Sequence, residues 1–158
     1  MRVWRLPPEV DTDQLAPGAT MKFGLDVVAQ HCLAAIRPDF AVGVRPGDVI
    51  VAGAGFGIGS SREQAAAVLV HLGLAAVIAP SFAGLYFRNA INVGLLPLRC
   101  ARALEILDGE SVTVDPRGAT VMRADVQVLP CDPLPGFLLD RVEAGGLLPE
   151  LKRRYRHS

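Results

Sequence analysis

Asp48-Val-Ile-Val-Ala-Gly-Ala-Gly-Phe-Gly-Ile-Gly-Ser-Ser-Arg-Glu-Gln-Ala65 runs from an apolar segment, through a turn with glycine at every second position, into a stretch rich in alanine, valine and leucine. Asp48 to Ala52 has the apolar character of a strand covered on both faces. Glu63 to Leu72 reads as a helix, Gly73 supplies its stop, and Ala75-Ala-Val-Ile-Ala79 is a second buried run. Strand, helix and strand in this order form a βαβ unit, which requires two parallel strands and points to an α/β fold.

Gly53, Gly55, Gly57 and Gly59 suit a backbone that must come close to something. Ser60, Ser61 and Arg62 then bring two hydroxyls and a guanidinium to a helix start, where amides and dipole favour negative charge. Two common glycine loops are excluded. The dinucleotide pattern G-x-G-x-x-G fails, because its third glycine falls on Ile58 counted from Gly53 and on Ser60 counted from Gly55. A nucleotide phosphate loop needs lysine before Ser60, yet residue 59 is glycine and no lysine lies between Lys22 and Lys152. A plainer reading competes: Ser60 and Glu63 also make the S-x-x-E of a capping box. The residues alone weigh a ligand site and a cap equally, since capping leaves Ser61, Arg62 and the spaced glycines unaccounted for.

Outward from this unit, Val3 to Leu6 predicts a first strand, and Asp11 to Gly18 predicts a polar loop. The apolar spacing of Leu25 to Ile36 predicts an amphipathic helix closed by Arg37-Pro38. Ser81 is placed to cap a helix through Asn92 that ends at Gly94. Ser111 to Asp115 and Ala119 to Met122 predict a hairpin, with a further strand over 126–129. Short helices are expected over 137–143 and 147–154, the last running into a basic, solvated end.

A chain of 158 residues, 51% hydrophobic, is long enough for one domain with its own core. Its sixteen basic and sixteen acidic residues cancel, which gives no electrostatic footprint for nucleic acid, and no apolar run is long enough to cross a membrane. No secretory signal is visible at the N-terminus, so a cytoplasmic location is expected. Cys32, Cys100 and Cys131 are too scattered for a disulfide framework or a metal cluster and read as buried thiols. His31, His71 and His157 likewise lack metal-ligand spacing.

Several segments, taken in order, resemble the small subunit of 3-isopropylmalate dehydratase and the swivelling domain of the aconitase superfamily. They are Asp11-Thr-Asp13 with Pro17-Gly18, Gly47 to Gly53, Phe56-Gly57, Gly59-Ser-Ser-Arg-Glu-Gln-Ala65, Ala76-Val-Ile-Ala-Pro-Ser-Phe-Ala83, and Arg88-Asn-Ala-Ile-Asn-Val-Gly-Leu-Leu-Pro97. The resemblance implies one swivelling β/β/α domain over residues 1–158, with a mostly parallel central sheet. It implies a hydro-lyase of leucine biosynthesis that dehydrates and rehydrates a 2-hydroxy polycarboxylate. The four-iron, four-sulfur cluster would belong to a separate large subunit, with none bound by this chain; self-association of the isolated chain is left open.

By the same match Ser60 is the base and Asp13 an active-site acid. Ser61 and Arg62 would hold substrate carboxylate, together with Thr20 and Lys22 of the preceding loop. Thr20-Met-Lys-Phe23 departs from the Tyr-Leu-Arg usual there, and Lys22 lacks the planar fork of arginine. Ile58 stands where many relatives have cysteine, and Gly55 where many have asparagine. Homoaconitate-, citramalate- or dimethylmalate-type substrates, and a non-catalytic binding module of the same fold, are the alternatives.

Overall fold

The computed structural model describes residues 1–156. Strands β1 (Val3–Leu6), β2 (Val49–Ala52), β3 (Ala76–Ala79) and β4 (Leu96–Arg99) form one sheet in that spatial order, each neighbouring pair parallel. Both central strands are buried at every position, as their unbroken apolar character requires. Pro97 lies within β4, where an edge position leaves its missing N–H harmless.

Alternation along the strands divides the core. Trp4, Leu6, Ile50, Ala52, Val77 and Ala79 face a helical layer built from α1 (Thr12–Leu15), α2 (Leu25–His31), α3 (Phe40–Gly43), α4 (Gln64–His71) and α5 (Gly84–Val93). Val3, Val49, Val51, Ala76, Ile78, Leu96 and Leu98 face the other way, onto Val121 and Leu129 of a small antiparallel sheet. That sheet is β5 (Thr113–Asp115), β6 (Thr120–Met122) and β7 (Val128–Pro130). Helices α6 (Gly136–Glu143) and α7 (Leu147–Arg156) close the chain, and Leu139 of α6 joins the second core. The layers are therefore helices, parallel sheet and antiparallel sheet, the β/β/α order expected.

Several local expectations are corrected. The segment from Asp11 is not a plain loop: it carries α1 and a 3₁₀ turn over Gly18–Phe23. The helix expected over 25–36 stops at His31, because Leu33 takes a positive φ of 60° and gives its N–H to the Gln14 carbonyl while burying its side chain completely. Ser81 does not cap α5, whose first flanking residue is Ala83; its hydroxyl instead accepts from the Gly55 N–H at 2.9 Å. Val126 belongs to a turn, with φ of 62°, and the last strand starts at Val128.

The amino end of the parallel sheet is closed by Asp48. Its Oδ2 accepts from Trp4 Nε1 at 2.9 Å, Arg2 Nη2 at 3.0 Å and the Arg45 N–H at 2.9 Å. Burial alone would raise this carboxyl, but those three donors outweigh it and hold the group below its ordinary value. Arg2 and Arg37 place their guanidinium carbons 4.8 and 4.7 Å from the centre of the Trp4 ring.

Candidate active site

At the other end of the sheet the glycine turn leaves β2 and runs between two neighbouring segments. Glu9 N–H donates to the Ala54 carbonyl, Gly57 N–H to Val10, and Thr12 N–H to Ile58, each at 2.8 Å. On the opposite side Phe56 N–H donates to Ser81 at 3.1 Å and Ala83 N–H to Phe56 at 2.9 Å. The turn is thus an extension of the sheet, stitched on both edges, and close approach explains its composition. A Cβ on Gly57 would collide with the Tyr86 ring, and one on Gly59 would lie 2.8 Å from an Asp11 carboxylate oxygen. Both glycines also have positive φ, 85° and 99°.

The capping box expected at Ser60 and Glu63 is not formed. Helix α4 starts at Gln64, with Glu63 as its flanking residue and no side-chain cap. The capping pair lies at Asp11 and Gln14 instead: the Asp11 carboxylate accepts from the Asp13 N–H at 2.6 Å, and the Gln14 side-chain oxygen accepts from the Asp11 N–H at 2.9 Å. Ser60 is held by its backbone, whose carbonyl accepts from the buried Thr12 hydroxyl at 2.8 Å. Ser60 and Ser61 are both exposed, and neither hydroxyl takes part in the hydrogen bonds of the described residues.

Arg62 turns back toward α1. Its Nη1 donates to Asp13 Oδ1 at 2.8 Å and to the Ala16 carbonyl at 3.0 Å. Asp13 Oδ1 also accepts from the Gly18 N–H at 3.0 Å. The Arg62 hydrogen bond first, and that of Gly18 after it, hold the Asp13 carboxyl below its ordinary value. The Arg62 Nε and Nη2 donors are outside these bonds, so one edge of its fork remains for a carboxylate.

Ser60, Ser61 and Arg62 line a cleft of about 230 Å³, with Thr12 beside them and Ala83, Gly84 and Asn89 on the α5 wall. Asp13 is joined to this cleft through Arg62. The two loop residues lie apart from its lining: Thr20 is buried with its hydroxyl on the Pro17 carbonyl at 2.6 Å, and Lys22 carries its ammonium 5.1 Å from the Phe23 ring centre. Nothing in the sequence alone singles out Thr12 or Asn89 as lining the cleft. Their only signal was membership of the quoted Asp11-Thr-Asp13 and Arg88-Asn89 segments.

Among the described residues no group of three or more His, Cys, Asp or Glu side chains converges as metal ligands. Cys32 is fully buried in the helical core. The buried Cys100 thiol donates to the Pro130 carbonyl at 3.5 Å, and the neighbouring, half-buried Cys131 holds Cys100 down, to about 7, while being pushed up itself. His31 bonds the Val27 carbonyl and His71 lies 2.9 Å from Asp26; His157 falls outside the described residues. None of the helices described is long and apolar enough to cross a membrane.

Residues 41–103 match the model of the aconitase C-terminal domain, a span that includes β2, the glycine turn, α4, β3, α5 and β4. The methanogen homoaconitase small subunit of Methanothermobacter thermautotrophicus is 44% identical over 93% of this chain and 86% of its own length. A 3-isopropylmalate dehydratase small subunit of Archaeoglobus fulgidus is 40% identical over 93% of this chain and 92% of its own. The crystal structure of 3-isopropylmalate dehydratase from Methanocaldococcus jannaschii superposes with a TM-score of 0.91 at 40% identity, covering 98% of this chain and 93% of that one. With the serine cleft in place at the strand ends, these similarities establish that the chain belongs to the family of 3-isopropylmalate dehydratase and homoaconitase small subunits, hydro-lyases of the aconitase type.

Proposed function

We propose that this chain carries the base and a carboxylate clamp of an active site completed by a large iron–sulfur subunit in the cytoplasm. The reaction is reversible loss and re-addition of water on a 2-hydroxy di- or tricarboxylate, with the isopropylmalate isomers as the leading pair. One observation carries the reading: Ser60, Ser61 and Arg62 share one cleft, with two hydroxyls and one guanidinium edge left for a ligand. A domain that needed only a helix cap would not hold that set, and here Ser60 is no cap.

In this scheme Ser60 Oγ takes the proton alpha to a carboxylate while the hydroxyl departs from the neighbouring carbon. Protonation and hydration of the alkene in the other sense return the isomer. A serine alkoxide needs positive potential; Arg62 and the uncapped start of α4 lie beside it. Arg62 grips a substrate carboxylate through its free edge, Asp13 holds the opposite edge, and Ser61 adds a hydrogen bond. Thr20 and Lys22 belong to the loop that favours one substrate over another, Thr20 by fixing the turn and Lys22 by its charge. The cysteines of this chain do not suit a cluster, so we assign the four-iron, four-sulfur group to the large subunit, where it supplies Lewis acidity.

The relative named a homoaconitase small subunit favours a second substrate class, homoaconitate-type tricarboxylates. Co-expression with the large subunit, anaerobic cluster loading and a panel of 2-hydroxy acids followed by alkene absorbance tests both. Turnover of isopropylmalate above the tricarboxylates is expected, with Lys22→Arg changing the ranking. Turnover of none, with a fully loaded cluster, leaves a binding module in place of an enzyme.

A further inference from the structure

Asn89 has no part in the chemistry above, yet its position is unusual. It stands on α5 within Arg88-Asn-Ala-Ile-Asn92, half-buried, in the wall between two clefts. One is the Ser60–Arg62 cleft; the other, of about 410 Å³, reaches Glu63 and the start of α7. Asparagine is a weaker helix former than alanine, and a mid-helix amide needs a reason to be kept. No structural bond supplies one. The Asn89 side chain takes part in none of the hydrogen bonds of the described residues, whereas Asn92, nearly one turn on, accepts from Arg141 at 3.5 Å. The core face of α5 is made by Tyr86, Ala90 and Ile91.

We infer that Asn89 is a second substrate-binding residue, its side-chain amide donating to a substrate carboxylate from the α5 wall of the cleft. The inference rests on the cleft being the substrate site. Substrates of the proposed class carry at least two carboxylates, while Arg62 is the one cation in the lining and already shares its charge with Asp13. A neutral amide can meet a further carboxylate oxygen without another charge to desolvate. Asn89 is the side-chain amide in that lining.

Steady-state kinetics of the assembled, cluster-loaded enzyme test this with Asn89→Ala, Asn89→Ser, Asn89→Asp and, as controls, Asn92→Ala and Ser60→Ala. A hydrogen bond to a charged group predicts a rise in KM of about tenfold to a hundredfold for the alanine and serine variants. Their kcat should stay within about threefold, and Tm and subunit assembly should be unchanged. Asn89→Asp should raise KM further, because it sets a carboxylate against a carboxylate, and that excess should shrink at high salt. Asn92→Ala should match the parent. An unchanged KM in Asn89→Ser, or equal effects of aspartate and alanine, overturns the assignment while leaving an inactive Ser60→Ala and the site intact. Near-normal turnover of Ser60→Ala would instead overturn the site itself.

Discussion

The two ends of the parallel sheet treat polar groups in opposite ways. At the amino end Asp48 sits 5% exposed and takes hydrogen bonds from Trp4, Arg2 and Arg45. At the carboxyl end Ser60 and Ser61 stand exposed on a stitched backbone, their hydroxyls outside the internal hydrogen bonds. One end places its side-chain polarity inside the fold and fixes the first two strands. The other fixes only the backbone and leaves the side chains for something else to meet. Burying polar groups without partners is costly, so a fold can leave them unpaired only where water or a ligand reaches them.

The contrast predicts a clean separation of effects, and the largest is at Ser60. Replacing Ser60 by alanine should lower kcat by about a thousandfold, the scale of a lost general base. Tm should hardly move, since Thr12 grips the carbonyl and not the hydroxyl. Single-turnover absorbance on the loaded complex and a melting curve of the isolated chain are the two readouts. Full activity in that variant would erase the distinction between the ends.

Asp48→Ala should do the reverse. It strands the buried Trp4 indole N–H and takes away the partner of the Arg45 N–H and of the half-exposed Arg2 guanidinium, at a cost of about 3 kcal/mol. For a chain of this size that lowers Tm by about 6–12 °C. kcat per assembled complex should be unchanged. A fall in kcat with an unaltered melting curve would show that Asp48 acts on the site across the sheet.

What could be read from the chain alone follows the same division. The β2–α4–β3 unit was legible because Val49 to Ala52 and Ala76 to Ala79 are buried on both faces, and that condition writes itself as an unbroken apolar run. The hairpin of β5 and β6 was legible from its turn and alternation. The caps were not. Asp11-x-x-Gln14 and Ser60-x-x-Glu63 are equivalent as local patterns, and the choice between them was made by tertiary bonds, Thr12 N–H to Ile58 and the Thr12 hydroxyl to Ser60. Likewise nothing local announces that Leu33 will leave helical geometry; its complete burial and its bond to Gln14 impose that. Ser60, Ser61 and Arg62 were visible because adjacent residues report themselves. Thr12 and Asn89 come from other elements and gain meaning only when the chain has folded around the cleft.

The smallest effect, and the finest probe of the open end, concerns Asp13. Its carboxyl is held below the ordinary value of 3.8 by Arg62 and the Gly18 N–H, yet the side chain is 64% exposed. A depressed folded value means that the unfolded chain binds more protons in that range. Stability from the pair is therefore present above about pH 3.8 and is lost as pH falls through the lower, folded value. Exposure keeps the contribution under about 1 kcal/mol, so Asp13→Asn should barely change Tm at neutral pH, and the difference from the parent should vanish in acid. A carboxyl ¹³C titration should place Asp13 below 3.8, and 1 M salt should draw it back toward that value. The weakness of this pair suits its place. An Arg62 anchored by a carboxylate as buried as Asp48 would be held more tightly within the fold, whereas an exposed, salt-sensitive partner fixes one edge of the guanidinium and leaves the other edge to an incoming carboxylate.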